Sequence, residues 1–207
     1  MTEAWIDRWL EGRIGWHEEG GNAALKQHWN VSGRRVLVPM CGKTVDMLWL
    51  EEQGNEVFGV ELSELAVEAF FEENELLFTR HAGELTEYRA RDRRVSVFCG
   101  DYFAFSGERF DAHFDRGALI AMNAEFRPRY ATHTSSLLEP GAFQLVIALE
   151  YDQRVAKGPP FSVPGDEILA YWPGLMRVEA RDDIENGPPK FREAGLKEMT
   201  EVVWQSA

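Results

Sequence analysis

The stretch VLVPMCGKTVDM, Val36 to Met47, decides the fold. It passes from a valine-rich apolar run into a turn around Gly42 and then into a helix opening near Thr44. A run so short, with apolar residues in succession rather than alternation, reads as a strand buried on both faces, here Arg34 to Met40. Strand, glycine turn and helix together form the corner where nucleotide-binding folds hold their ligands. Gly42-Lys43-Thr44 is also the tail of a phosphate-binding loop, but that loop needs a glycine five positions before Gly42, where Leu37 stands. A dinucleotide turn needs the glycine spacing G-x-G-x-x-G, of which only Gly42 is present. The turn is suited to close backbone approach by something other than a polyphosphate.

The first helix carries Val45, Leu48 and Trp49 on one face and stops at Gly54. A second buried strand, Glu56 to Leu62, follows, and Ser63 is placed as the N-cap of another helix with Glu64 in its first turn. Strand, helix, strand, helix in this succession predicts a parallel α/β sheet. Arg94 to Gly100, Phe110 to Arg116 and Ala142 to Glu150 read as three more strands, with a helix over Arg127 to Leu138, while residues 75 to 93 read as polar and irregular. Tyr151 to Gly165 contains Gly158-Pro159-Pro160-Phe161 and is a loop, because adjacent prolines cannot sit in a ladder. A short helix around Ile168 to Trp172 precedes Leu175 to Asp182 and Leu196 to Gln205, which alternate as a closing antiparallel pair. No repeat or linker is visible, so one domain over residues 1–207 is expected. Its first 30 residues form a helical lid segment in which Trp5 and Trp9 share a face.

With 22 basic and 35 acidic residues the formal charge is −13, which disfavours nucleic acid and an anionic membrane as partners. The first residues show no basic region followed by an apolar run, and no apolar stretch approaches a membrane span, so a cytoplasmic monomer is expected. Cys41 and Cys99 each end an apolar run without the paired spacing of a metal site; they read as buried reduced thiols, and no metal is expected.

In an open parallel sheet, ligands bind beyond the carboxyl ends of the strands. That rule nominates Met40, Cys41 and Gly42 after the first strand, Glu61 at the end of the second, Asp101 and Tyr102 after the third, and Asp115 and Arg116 after the fourth. Glu61 lies 61 − 42 = 19 residues past Gly42, the separation at which a carboxylate accepts from both hydroxyls of a ribose, so an adenosine is expected. Each residue also has a purely structural reading: Glu61 at a helix start, Asp101 as a turn residue, Asp115 and Arg116 as a local ion pair. The combination of four strand ends favours the functional one.

These residues resemble the thiopurine S-methyltransferases, which use S-adenosylmethionine. The resemblance covers nearly the whole chain: Trp5 and Trp9, then Gly15-Trp16-His17-Glu18, VLVPMCGKTVDMLWL, GVELSELAVEAFF, CGDYF, FDRGALIAMN, and EYD followed by GPPFSVP. It implies a Rossmann-like class I methyltransferase fold, with a mostly parallel central sheet, helices on both faces and a C-terminal antiparallel pair. It implies methyl transfer from S-adenosylmethionine to the sulfur of an aromatic or heterocyclic small-molecule thiol. Carried over by position, Trp9 lies against the cofactor, Met40 meets it through its backbone, Glu61 binds the ribose and Arg116 stands at the active site, with Asp115 beside it as a second catalytic candidate. Trp5, Gly42, Asp101 and Tyr102 support the cofactor pocket. Trp16, Pro160 and Phe161 line the substrate side, where Lys190 and Arg192 both match a basic family position. His17 also matches a family position, or is a packed core residue.

Two other functions compete with a thiol methyltransferase. A nicotinamide-dependent oxidoreductase would need the missing glycines. A non-catalytic binder of the adenosyl cofactor would need neither Arg116 nor a wall such as Pro159-Pro160-Phe161. Within methyl transfer, inorganic or small organic selenium and tellurium species are alternative acceptors.

Overall fold

The computed structural model describes residues 2–15 and 17–207. Two helices, α1 (Thr2–Leu10) and α2 (Ala23–His28), precede β1 (Arg35–Pro39), α3 (Asp46–Glu52), β2 (Glu56–Glu61) and α4 (Glu64–Glu73). Then come β3 (Phe78–His81), β4 (Thr86–Ala90), β5 (Val95–Cys99), a 3-10 turn over Tyr102–Ala104, and β6 (Phe110–Arg116). The chain continues through α5 (Ala118–Ala121), α6 (Arg127–Leu137), β7 (Leu138–Glu150), α7 (Gly165–Tyr171), β8 (Leu175–Asp182), α8 (Pro189–Glu193) and β9 (Thr200–Ser206).

The strands form one sheet in the order β3-β4-β5-β2-β1-β6-β7-β9-β8. β5, β2, β1, β6 and β7 run parallel, and β9 and β8 close the far edge antiparallel. From β1 the chain proceeds outward to β2 on one side and returns to β6 on the other, so the crevice between β1 and β6 is the topological switch point. The anticipated fold class and C-terminal antiparallel pair are both present.

Successive residues of β1 explain the layers. Val36 and Val38 bury against one set of helices, with Leu25 of α2, Met47 and Leu50 of α3 and Phe70 of α4. Leu37, pointing the other way, joins Leu119 of α5, Tyr130 of α6 and Ile168 of α7. Each layer buries its apolar stripe on one face of the sheet, which is the condition for a stable three-layer domain. At α4 the cap is as expected, with Ser63 Oγ accepting from Ala66 N at 3.4 Å.

Residues 75 to 93 correct the sequence reading, because they hold an antiparallel hairpin, β3 and β4, that extends the sheet beyond β5. The pleat turns Tyr88 inward, where it stacks near Phe71 of α4 and Phe78 of β3. Glu87 and Arg89 flank it on the opposite face, and these charges conceal so short a strand in the sequence.

Candidate functional site

β1 ends in two residues of left-handed backbone, Met40 at φ 49° and Gly42 at φ 55°. For a methionine this conformation is uncommon and costs of order 1–3 kcal/mol, a strain that collects at ligand-holding turns. At Gly42 a side chain would meet Trp9: an added Cβ would lie 3.2 Å from the indole Cζ2. The turn is thus roofed by α1, which itself rests on α4.

Glu61, at the end of β2, is 7% exposed. Its Oε2 accepts from Gly42 N at 2.8 Å and its Oε1 from Ser63 N at 2.9 Å. A carboxylate has about four lone-pair positions, so the two backbone donors orient the group and leave acceptor capacity for two further donors. Burial pushes its pKa up, and the backbone hydrogen bonds from Ser63 and Gly42 pull against that shift.

At the end of β5, Asp101 caps the Tyr102–Ala104 turn by accepting from Phe103 N at 3.0 Å. Tyr102 itself is buried, its hydroxyl 2.9 Å from Thr134 Oγ1, so its ring is a packing group rather than a pocket wall.

At the end of β6 the local ion pair Asp115–Arg116 is replaced by two separate partnerships. Asp115 is wholly buried and accepts from Tyr130 Oη at 2.7 Å and from Ala118 N and Leu119 N at 3.1 and 3.2 Å. Burial raises its pKa to about 6. It braces from behind the turn that presents Arg116 and has no exposed surface toward the crevice. The Arg116 guanidinium donates to Glu18, 98 residues away in the N-terminal segment.

That segment is anchored by residues the sequence reading passed over. Asp46, 2% exposed at the start of α3, accepts from Asn22 N at 2.7 Å and Thr44 Oγ1 at 2.9 Å. Gly21, at φ +70°, brings the chain so close that an added Cβ would lie 2.7 Å from Asp46 Oδ1. Asn22 in turn reaches Glu18 Oε2 at 3.4 Å and caps α2 through Leu25 N. The only sequence signal was a carboxylate opening a helix that is otherwise apolar where it meets the sheet. Within α1, the Arg8 guanidinium sits 4.7 Å over the Trp5 ring, and Trp16 lies outside the described residues.

Opposite lies the loop after β7. Phe161 N donates to Ile120 O of α5 at 2.6 Å, Tyr151 Oη to Pro160 O at 2.6 Å, and Arg127 Nη1 to Ser162 O at 3.2 Å. Arg127, 2% exposed, also pairs with Glu167 at 2.8 Å. The two basic candidates on α8 diverge. Lys190 Nζ donates to Pro159 O at 2.8 Å, whereas Arg192 donates to the carbonyls of Ile184 and Glu185 at 3.0 and 2.6 Å. Burial and the nearby positive charge of Arg8 lower the Lys190 pKa, so α8 faces α1.

The strand ends, not the volume of any cavity, locate this site. A furrow of about 480 Å³ runs elsewhere, between Phe103 and the face of α6 bearing Arg129 and His133. Among the described residues no helix is long and apolar enough to cross a membrane.

All of the chain, residues 1–207, matches the family described as Thiopurine S-methyltransferase (TPMT). The Thiopurine S-methyltransferase of Bordetella petrii is 44% identical to it over 99% of this chain and 97% of its own. That of Pseudomonas syringae pv. syringae is 39% identical over 98% and 96%. Among solved structures, the 1,6-didemethyltoxoflavin-N1-methyltransferase of Burkholderia thailandensis, with S-adenosylhomocysteine bound, superposes with a TM-score of 0.64 at 17% identity, covering 100% of this chain and 87% of that one. A TehB-like SAM-dependent methyltransferase from Corynebacterium glutamicum gives 0.56 at 16%, covering 100% and 98%. At such identities the structural likeness speaks for the fold alone.

Proposed function

Because the chain belongs to the thiopurine S-methyltransferase family and is an S-adenosylmethionine-dependent methyltransferase, we propose that its acceptor is the sulfur of an aromatic or heterocyclic thiol. The observation that supports this reading is the bond from Phe161 N to Ile120 O, which ties the Pro160-Phe161 loop to α5, the helix that follows Arg116 in the chain. A cation and an apolar, aromatic wall at the same end of the sheet suit a flat ring bearing an ionisable sulfur.

The residues fit the cofactor. Glu61 has acceptor positions left for two ribose hydroxyls. The Met40–Gly42 turn offers backbone without a phosphate cradle, and Trp9 lies directly over it. Trp5, Asp101 and the backbone of Tyr102 complete the pocket. When bound, S-adenosylmethionine supplies a methyl group on a positively charged sulfur, and an indole face near such a cation contributes about 0.5–2 kcal/mol.

On the substrate side, Phe161 and Pro160 hold the ring and Lys190 closes the wall from α8. A guanidinium offers donors and no acceptor, so the part of Arg116 is to steady the sulfur's electron pair. Most of the rate then comes from holding sulfur and methyl in line.

Turnover of an aromatic thiol tests the reading, with Arg116→Lys and Arg116→Ala as probes. The lysine variant is expected to be slower because an ammonium cannot reproduce the planar fork, and the alanine variant slower still. Wild-type protein that methylates no thiol, or Arg116→Ala with wild-type turnover, would overturn it.

A further inference from the structure

We propose that Glu18 is a catalytic residue that accepts the proton of the substrate's S–H, so that the site binds sulfur and proton together. This rests on the thiol reading above.

Glu18 Oε1 accepts from Arg116, and among the described residues its other oxygen meets only Asn22 Nδ2, at 3.4 Å. Its side chain is 39% exposed and that of Arg116 25%, so the pair stands at the open edge of the crevice. The charges of guanidinium and carboxylate compensate each other. A thiolate brought against the pair would leave an uncompensated negative charge in a partly desolvated place, where a neighbouring carboxylate raises the proton affinity of any anion. One proton must therefore accompany the sulfur, shared between it and Glu18.

The other carboxylates that feel the pair are buried and answer first to other partners. Asp46 of α3 accepts from Asn22 N and Thr44 Oγ1, which act on it more strongly than Arg116 or Glu18. Glu201 of β9 is buried and 2.8 Å from Arg181, which acts on it more strongly than Glu18 or Arg116. Asp115 is wholly buried under α5. His17 answers chiefly to burial and to Lys43 and Glu73, the ion pair that joins the Gly42 turn to α4, with Arg116 the weakest of its neighbours. Glu19 influences His17 and is not bonded to Arg116.

In the step, the sulfur–hydrogen bond breaks and its proton passes to a Glu18 oxygen. The sulfur's pair forms the bond to the methyl carbon, and the bond from that carbon to the sulfonium breaks, its pair remaining on S-adenosylhomocysteine. A methyl thioether leaves neutral, and the proton returns to water from the exposed side of Glu18.

The experiment counts protons. Binding of para-nitrothiophenol, ionised at neutral pH, to the S-adenosylhomocysteine complex is measured calorimetrically in buffers of different ionisation enthalpy. Wild type is expected to take up close to one proton per thiol and Glu18→Gln close to none. In steady-state turnover, Glu18→Gln should lower kcat for phenylmethanethiol, protonated at neutral pH, on the order of 10²-fold. Its kcat for para-nitrothiophenol should fall far less. Equal proton numbers in the two proteins, or equal losses with the two thiols, would overturn the proposal and leave Glu18 a latch for the lid. Loss of uptake in His17→Asn rather than in Glu18→Gln would move the role to His17 and equally overturn it. Should wild type neither bind nor methylate either thiol, the reading it rests on falls as well.

Discussion

His113 and Asp115 share one face of β6, both wholly buried, and burial moves their protonation in opposite directions. His113 is lowered to about 4 and Asp115 raised to about 6. Between pH 4 and 6 the unfolded chain holds a proton on His113 that the native one lacks, so that group makes stability rise with pH. Over the same window the native chain holds a proton on Asp115 that the unfolded one lacks, so that group makes stability fall. Each contributes a slope of about 1.4 kcal/mol per pH unit, and the two cancel. We predict that Asp115→Asn, compared with wild type, gains a positive slope of stability against pH between 4 and 6, and that His113→Gln gains a negative one. Urea unfolding at several pH values reads both; parallel curves for the three proteins would refute the compensation.

Glu61→Gln should weaken binding of S-adenosylhomocysteine by roughly 10- to 100-fold, the equivalent of about 1.5–3 kcal/mol for hydrogen bonds to a charged acceptor. The fold should persist at some cost in stability, since glutamine fills the same volume and its one amide oxygen keeps one of the two backbone bonds while the other donor loses its acceptor. Titration calorimetry decides, and an unchanged dissociation constant would dismiss Glu61 as the ribose ligand.

The lid should be ordered by its ligand. Trp9 covers the Gly42 turn and the chain between α1 and α2 passes through Gly20-Gly21. Amide hydrogen exchange over residues 2–20 is therefore expected to slow when S-adenosylhomocysteine is added. Exchange that is indifferent to the ligand would rule out closure over the cofactor.

Lys190 and Arg192 should separate by experiment as they do in space. Lys190→Ala is expected to raise KM for a thiol with little effect on melting temperature. Arg192→Ala removes two bonds to the Ile184 and Glu185 carbonyls and should cost stability on the order of 1 kcal/mol while leaving KM alone. The reverse pattern would assign the substrate contact to Arg192.

The parts of this molecule that were legible in the sequence are those governed by local period and local caps. The two-sided burial of Val36 to Val38 and the Ser63 cap follow from neighbours within a few residues, and Glu61 from a fixed spacing to the Gly42 turn that the strand–helix–strand unit imposes. What escaped depends on partners far along the chain. Glu18 meets Arg116 across 98 residues and Asn22 meets Asp46 across 24, and no spacing rule links them. Lys190 and Arg192, two positions apart on a five-residue helix, were indistinguishable until α8 was seen to face Pro159 on one side and the Ile184–Glu185 turn on the other.

The loop at Pro160 to Ser162 is tied down at three consecutive residues, by Tyr151, by Ile120 and by the buried Arg127. Anyone wishing to redesign the enzyme for bulkier acceptors therefore gains nothing by lengthening that loop, because an inserted residue would break all of these ties at once. On the proposed reading of Phe161 as part of the acceptor wall, trimming its side chain would make room while its backbone stays anchored, so the accepted range of molecules would be open to engineering one side chain at a time.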